Sequence, residues 1–185
     1  MKPFKKELIF NKAHGLFMLT DLFNLEKGKI DESQESGYPL ITTSEQNNGV
    51  SGFYEDYSFE NCFTISGDGG CGMCFWHPYK FNAYVNVVVA SPKFKIGDFS
   101  TMTALATIIS AYLKYKRFNY GRKSGLDRLE DQHVALPLTD NDDIDWEYMR
   151  EKNKSAVTKI INHKIKLLQD KVNEFNTDFI KPEFN

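Results

Sequence analysis

The longest regular pattern in the chain is apolar and lies toward its C-terminal end. Ile161, Ile165, Leu168, Val172, Phe175 and Phe179 are separated by 4, 3, 4, 3 and 4 residues, the spacing that aligns side chains along one seam of a helix. Lys152, Lys154, Lys159, Lys164, Lys166 and Lys171 fall off that seam and read as its polar face. The pattern predicts a helix starting after Trp146 and running from about Asn153 to Phe179, roughly 40 Å at 1.5 Å per residue. A single apolar seam on so long a helix calls for a partner helix; packing back on its own globular domain is the other reading.

Upstream, the apolar runs are short and punctuated by turn residues, as strands are. A short apolar segment runs from Leu16 to Leu25 and ends in Lys27-Gly28-Lys29. Tyr38–Thr43 and Val50–Tyr57 read as strands, joined across Asn47-Asn48-Gly49, residue types that tolerate positive φ. Cys62–Ser66 reads as another, followed by the glycine-dense Gly67–Gly72, where backbone must turn sharply or approach something closely. Phe81–Ala90 is the clearest strand, closed by Pro92. From Ser100, a plausible N-cap, to Phe118 the breakers disappear and a helix of about four turns is expected. Tyr120–Gly125 is a basic glycine turn, Val134–Pro137 a last short strand, and Asp140–Asp145 an acidic connector. The expected fold class is α+β, mixed and strand-rich, over residues 1–145, with a long amphipathic helix and tail over 146–185.

Composition narrows the function classes. The 185 residues suffice for one domain with a real core, and 15 Phe, 9 Tyr and 2 Trp make disorder a poor description. With 23 Lys and Arg against 25 Asp and Glu, the net charge of −2 gives nucleic-acid binding no global support, so any such case must be local. No apolar window approaches the 18 or so residues of a membrane span, and the N-terminus has no signal-peptide core, so neither export nor spanning is expected. Three cysteines without a leader read as reduced, which places the chain in the cytoplasm.

Enzyme signatures are missing. Gly67–Gly72 lacks the Lys-Ser or Lys-Thr that completes a phosphate loop, and there is no dinucleotide fingerprint. No cofactor-binding glycine turn paired with an Asn-Pro-Pro-aromatic pocket marks a DNA methyltransferase, and no Asp followed by Glu-x-Lys marks a metal-dependent nuclease. No catalytic residue and no cofactor is therefore assigned. Cys62, Cys71, Cys74 and His77 have the donor types of a structural zinc set. Their alternative is a group of small buried residues on strands beside a glycine turn, and no metal is assigned.

One local signal points the other way. Lys114, Lys116, Arg117, Arg122 and Lys123 place five cations within ten residues, accompanied by Tyr112, Tyr115, Phe118 and Tyr120. Lys and Arg neutralise phosphates, and Arg grips guanine edges. A solvated helix end with its rings in the core is the competing reading. His14, His133 and His163 have no partner pattern.

Four segments, in order, resemble the DNA specificity subunits of type I and BcgI-like restriction-modification systems. They are Leu22–Lys29, Tyr38–Ser44 with Asn47–Val50, Tyr120–Lys123, and Leu136-Pro137 followed by Asp145–Met149. The resemblance implies a strand-rich target-recognition domain (1–145) reading half of a bipartite target in double-stranded DNA, and a spacer helix (146–185) that pairs antiparallel with another and docks methyltransferase subunits. It also implies a subunit that neither cleaves nor methylates. A full specificity subunit has two recognition domains and two spacers, whereas one of each is expected here, a half-subunit completed by self-association or by another half. Arg122 and Lys123 lead the expected DNA contacts, then Lys116 and Arg117, with Lys114, Tyr120, Asn47 and Asn48 beside them. Ile161, Ile165, Leu168, Val172, Phe175 and Phe179 are the expected partner-helix residues. At the glycine turn the resemblance implies an Asn-Gly-Ser-x-Gly-like sequence, and Asp68 departs from it with an acidic residue. An intracellular protein-interaction module using the terminal helix is the alternative function.

Overall fold

The computed structural model describes residues 2–3, 5–9, 12–115, 118 and 122–179, with side chains for all but 6–9 and 175–179. Among these residues three sheets form. The first is antiparallel, with β1 (Lys5–Ile9), β2 (Lys12–Met18) and β10 (His133–Pro137) in the order β1-β2-β10. The second has four strands, β3 (Phe23–Lys27), β9 (Val87–Pro92), β6 (Cys62–Ser66) and β7 (Cys74–His77), in that order. The third pairs β4 (Tyr38–Ile41) antiparallel with β5 (Val50–Tyr54) and parallel with β8 (Asn82–Ala83). The helices are α1 (Leu19–Leu22), α2 (Phe99–Tyr115), α3 (Leu126–Glu130) and α4 (Trp146–Phe179). The strand-rich α+β class with a long C-terminal helix is what the sequence pattern called for. No described helix is long and apolar enough to cross a membrane.

The second sheet is buried on both faces, which is why β9 is a continuous apolar run and not an alternating one. Val88 and Ala90 join the larger core with Phe63, Ile65, Leu105 and Ile109, while Val87 and Val89 face a smaller core with Ile41 and Phe81. Fully burying each such side chain stabilises the fold by about 1.5–3 kcal/mol relative to leaving it in water. Phe63 stacks edge-on to Phe23 (5.4 Å) and against Trp76 (4.7 Å), so aromatic contacts tie β3, β6 and β7 across the larger core.

Several local expectations change. Phe81–Ala90 is two strands in two sheets: Tyr84 donates to Ile41 O (2.9 Å) and Val87 to Tyr84 O (2.8 Å), so the chain turns at Tyr84–Asn86. The Leu16–Leu25 segment is likewise the end of β2, the single turn of α1 and most of β3. α2 is capped by Asp98 and not by Ser100, because the Asp98 carboxylate accepts the Thr101 amide (3.1 Å) and hydroxyl (3.1 Å). α4 begins at Trp146, earlier than expected, because Asp145 accepts the Tyr148 amide (2.9 Å) and holds Lys12 at 2.6 Å. Its first turns belong to the domain: Met149 is buried, Trp146 packs on Phe94 (4.8 Å), and Asn153 donates to Ser100 O and Thr103 Oγ1, both at 2.9 Å.

Candidate nucleic-acid interface

Five segments meet at one end of the second and third sheets. Register defines that end: Lys27 of β3 lies opposite Val88, Ser66 of β6 opposite Val87, and Ile41 of β4 opposite Ala83. The loop following β4, the glycine turn following β6 and the Tyr84–Asn86 turn therefore emerge together. The glycine turn is the hub. Gly70 donates to Thr43 O in the β4–β5 loop (3.4 Å), and Gly67 to Asn86 O (2.9 Å). Ser124 donates through its amide to Gly67 O (3.1 Å) and through its buried hydroxyl to Ser66 O (2.6 Å). Gly28 donates to Val87 O (2.9 Å) and Lys29 to Ala83 O (3.0 Å), which brings the Lys27–Lys29 segment alongside. At Gly72, with φ of +82°, an added Cβ would come within 2.9 Å of Leu113 Cβ, so the last turn of α2 abuts the same hub.

The expected contact residues can now be placed. Asn47 and Asn48 are exposed on the β4–β5 loop with φ of 50° and 54°, and Gly49 follows at 84°, a run of left-handed residues that Asn and Gly tolerate best. Lys114 is exposed in the last turn of α2. Arg122 lies over the Phe118 ring at 5.5 Å, and Lys123 Nζ sits 2.7 Å from Asp68 Oδ2. Lys116, Arg117 and Tyr120 lie outside the described residues. Lys27 was not among the expected contacts, although it lines a cavity of about 190 Å3 together with Asp68, Asn86 and Lys123. Its signal was the Lys-Gly-Lys turn at the end of β3. Glu26 stands 3.8 Å from Lys29, so with Asp68 the cluster is of mixed sign.

The four residues with zinc-type donors lie on β6, on β7 and in the glycine turn between them. Cys62, Cys71 and Cys74 are buried free thiols, and burial pushes the Cys74 thiol far above its ordinary range. Cys74 is instead stitched to α2, donating its amide to Ser110 Oγ (2.8 Å) and accepting from it (3.2 Å). His77 is fully buried, sharing a hydrogen bond with Thr64 Oγ1 at 2.8 Å. Among the described residues, no three His, Cys, Asp or Glu side chains are grouped to hold a metal ion.

A second surface lies elsewhere. α4 crosses α2 from Thr107 and Ile108, beside Tyr148 and Met149, to Ser100, beside Asn153, and leaves the domain past the N-terminus of α2. The loop cluster adjoins the other end of α2. Beyond Asn153 the helix stands clear: Ile161 and Ile165 are exposed, and Leu168 and Val172 expose 63% and 57% of their surface. Val157, Ile160 and Leu167 add exposed apolar positions outside the seam read from the sequence. Phe175 and Phe179 continue the helix, and their side chains lie outside the described ones.

A strand-rich domain with a loop cluster at one end and a bare amphipathic helix leaving the other defines a class of two-surface module. The pattern of the Type I restriction modification DNA specificity domain matches residues 13–170, and the chain belongs to that family. Its fold is similar to that of the S subunit of a type-I restriction-modification system from M. genitalium, with a TM-score of 0.60 and 14% identity over 92% of this chain and 44% of that one. It is also similar to the HsdS subunit from Thermoanaerobacter tengcongensis, with a TM-score of 0.56 and 10% identity over 83% of this chain and 39% of that one. At such identities the likeness is one of fold, and this chain spans less than half the length of either protein. No curated protein matches it.

Proposed function

We propose that this chain reads DNA sequence as the non-catalytic half of a type I restriction-modification specificity subunit, in the cytoplasm, and presents the bound DNA to methyltransferase subunits. The observation that carries the proposal is the family match over residues 13–170, a span that includes both the loop cluster and most of α4. In this reading residues 1–145 form the recognition domain and 146–185 the spacer, although the first turns of α4 remain packed on α2.

Each surface has a physical task. Arg122, Lys114, Lys116 and Arg117 neutralise phosphates and fix register on the duplex, with Tyr120 packing beside them and Lys123 adjoining, paired with Asp68. Asn47 and Asn48, held at the tip of a left-handed turn, offer amide groups that pair with adenine edges in the major groove. Cleavage and methylation belong to other subunits. The apolar seam of α4, Ile161 to Phe179, pairs antiparallel with a second copy or with another half-subunit. A two-fold pair carries two equivalent loop clusters at a fixed separation, which suits a palindromic interrupted target.

Fluorescence anisotropy with duplexes of randomised sequence, with and without a modification subunit of the same system, tests the reading. Salt-dependent binding that is outcompeted unequally by different defined duplexes is expected. Equal competition by all sequences in both conditions contradicts it.

A further inference from the structure

The hub of the loop cluster carries a carboxylate where a phosphate-facing surface is expected to be basic. We infer that Asp68 is a specificity-determining residue, holding Lys123 in an ion pair and so withholding its charge from any DNA that offers only phosphates. The inference rests on the DNA-reading function proposed above and assigns a role within that same site.

The pair is built into the backbone. Asp68 lies between Gly67 and Gly69, the latter with φ of +55°, and Lys123 immediately precedes Ser124. Ser124 ties the two segments together through its hydroxyl to Ser66 O and its amide to Gly67 O. Lys123 Nζ is thus held 2.7 Å from Asp68 Oδ2 by segments whose relative position is already fixed. The Asp68 side chain is only 18% exposed, and its other oxygen, Oδ1, is buried and accepts no hydrogen bond from the described residues. Among the described residues Lys123 is therefore the partner that meets this carboxylate's charge. Withdrawing it leaves a poorly hydrated anion beside the approaching phosphates.

The consequence falls unevenly on different DNA. Phosphate contacts are the same for every sequence and supply most non-specific affinity. Breaking the pair penalises that sequence-independent part, while contacts from the β4–β5 loop to base edges are untouched. Discrimination then comes from a device acting against the wrong partner as well as from contacts to the right one. Lys123 becomes a phosphate contact whose strength Asp68 sets.

The test is a mutant cycle on the full chain, with the modification subunit present, using anisotropy on a randomised duplex over a salt series. Asp68→Asn is expected to tighten binding about 5–10-fold and to steepen the log–log salt slope by about 1, the value for one more neutralised phosphate. Asp68→Ser should do the same, which separates lost charge from a new contact by Asn. Asp68→Asn combined with Lys123→Gln, which removes both charges of the pair, should bind within about threefold of wild type, so that loss of Lys123 abolishes the gain of the Asp68 variant, the coupling expected of a direct pair. Unchanged or weaker binding by the Asp68 variants, folded by thermal melting, overturns the inference. So does a loss of about tenfold and of about one unit of slope for the doubly substituted protein relative to wild type, since Lys123 would then already engage phosphate. Absence of duplex binding by every protein at every salt concentration is a different result, which removes the DNA-reading function itself.

Discussion

His77 shares its two ring nitrogens between Thr64 Oγ1 (2.8 Å) and the Tyr79 hydroxyl (3.1 Å), with its ring against Phe81. Burial lowers its pKa from 6.5 to about 4, so between those values the unfolded chain binds the proton and the folded one does not. The contribution of His77 to stability is then flat above about pH 6.5 and declines as pH falls toward about 4, by up to about 3 kcal/mol. Urea unfolding at neutral and mildly acidic pH should show that decline, and His77→Gln should make it shallower. Gly28 makes a second residue-scale case. A Cβ there would lie 2.2 Å from Tyr84 O and 2.4 Å from Ala83 O, backbone atoms that hold the Tyr84–Asn86 turn. Gly28→Ala should cost about 1–3 kcal/mol by overpacking, read from the same unfolding curves. The sequence showed Cys71 and Cys74 at zinc-knuckle spacing with His77 only three residues further on; that Cys74 and His77 lie on β7, bonded to Ser110 of α2 and to Thr64, is information that spacing alone does not carry.

At the scale of elements, periodicity was legible wherever an element stands by itself. The seam from Ile161 to Val172 belongs to a helix that projects from the domain, and its 3.6-residue repeat needs no tertiary context. Phe81–Ala90 is the opposite case. Its residues suit one strand, but Asn82 and Ala83 pair with Leu40 and Ile41 while Val87 onward pairs with β3 and β6. Competition between two sheets for one run is settled by long-range pairing, to which a local window is blind. β1 and β2 were missed because Lys5–Lys12 mixes charge and apolar residues without turn composition. The loop cluster follows the same logic: the Asn47–Gly49 and Arg122–Lys123 segments were visible as turns, and only the Gly67–Gly72 hub brings them together. Caps provide the test at this scale. Asp145 caps α4 and engages Lys12, which fixes where the long helix leaves the domain. Asp145→Ala should lower stability by roughly 1–2 kcal/mol and fray the first turn of α4, measurable by urea unfolding and by amide exchange at Tyr148.

Across the whole molecule, the two surfaces are separable. The loop cluster adjoins the C-terminal end of α2, and α4 departs past its N-terminal end, so substitutions on one need not disturb the other. Leu168→Asp with Val172→Asp places charge on two exposed positions of the seam and should leave the domain's melting temperature within a degree or two while abolishing self-association in sedimentation experiments. An unchanged mass for wild type and variant, monomeric in both, would remove pairing through α4 and leave DNA reading standing. The central claim concerns sequence, and selection from a pool of randomised duplexes, using the chain with its modification subunit and sequencing the bound fraction, addresses it most directly. The account predicts enrichment of a defined motif, with two identical inverted halves at fixed separation when α4 pairs two copies. A bound fraction with the same base composition at every position as the starting pool contradicts it.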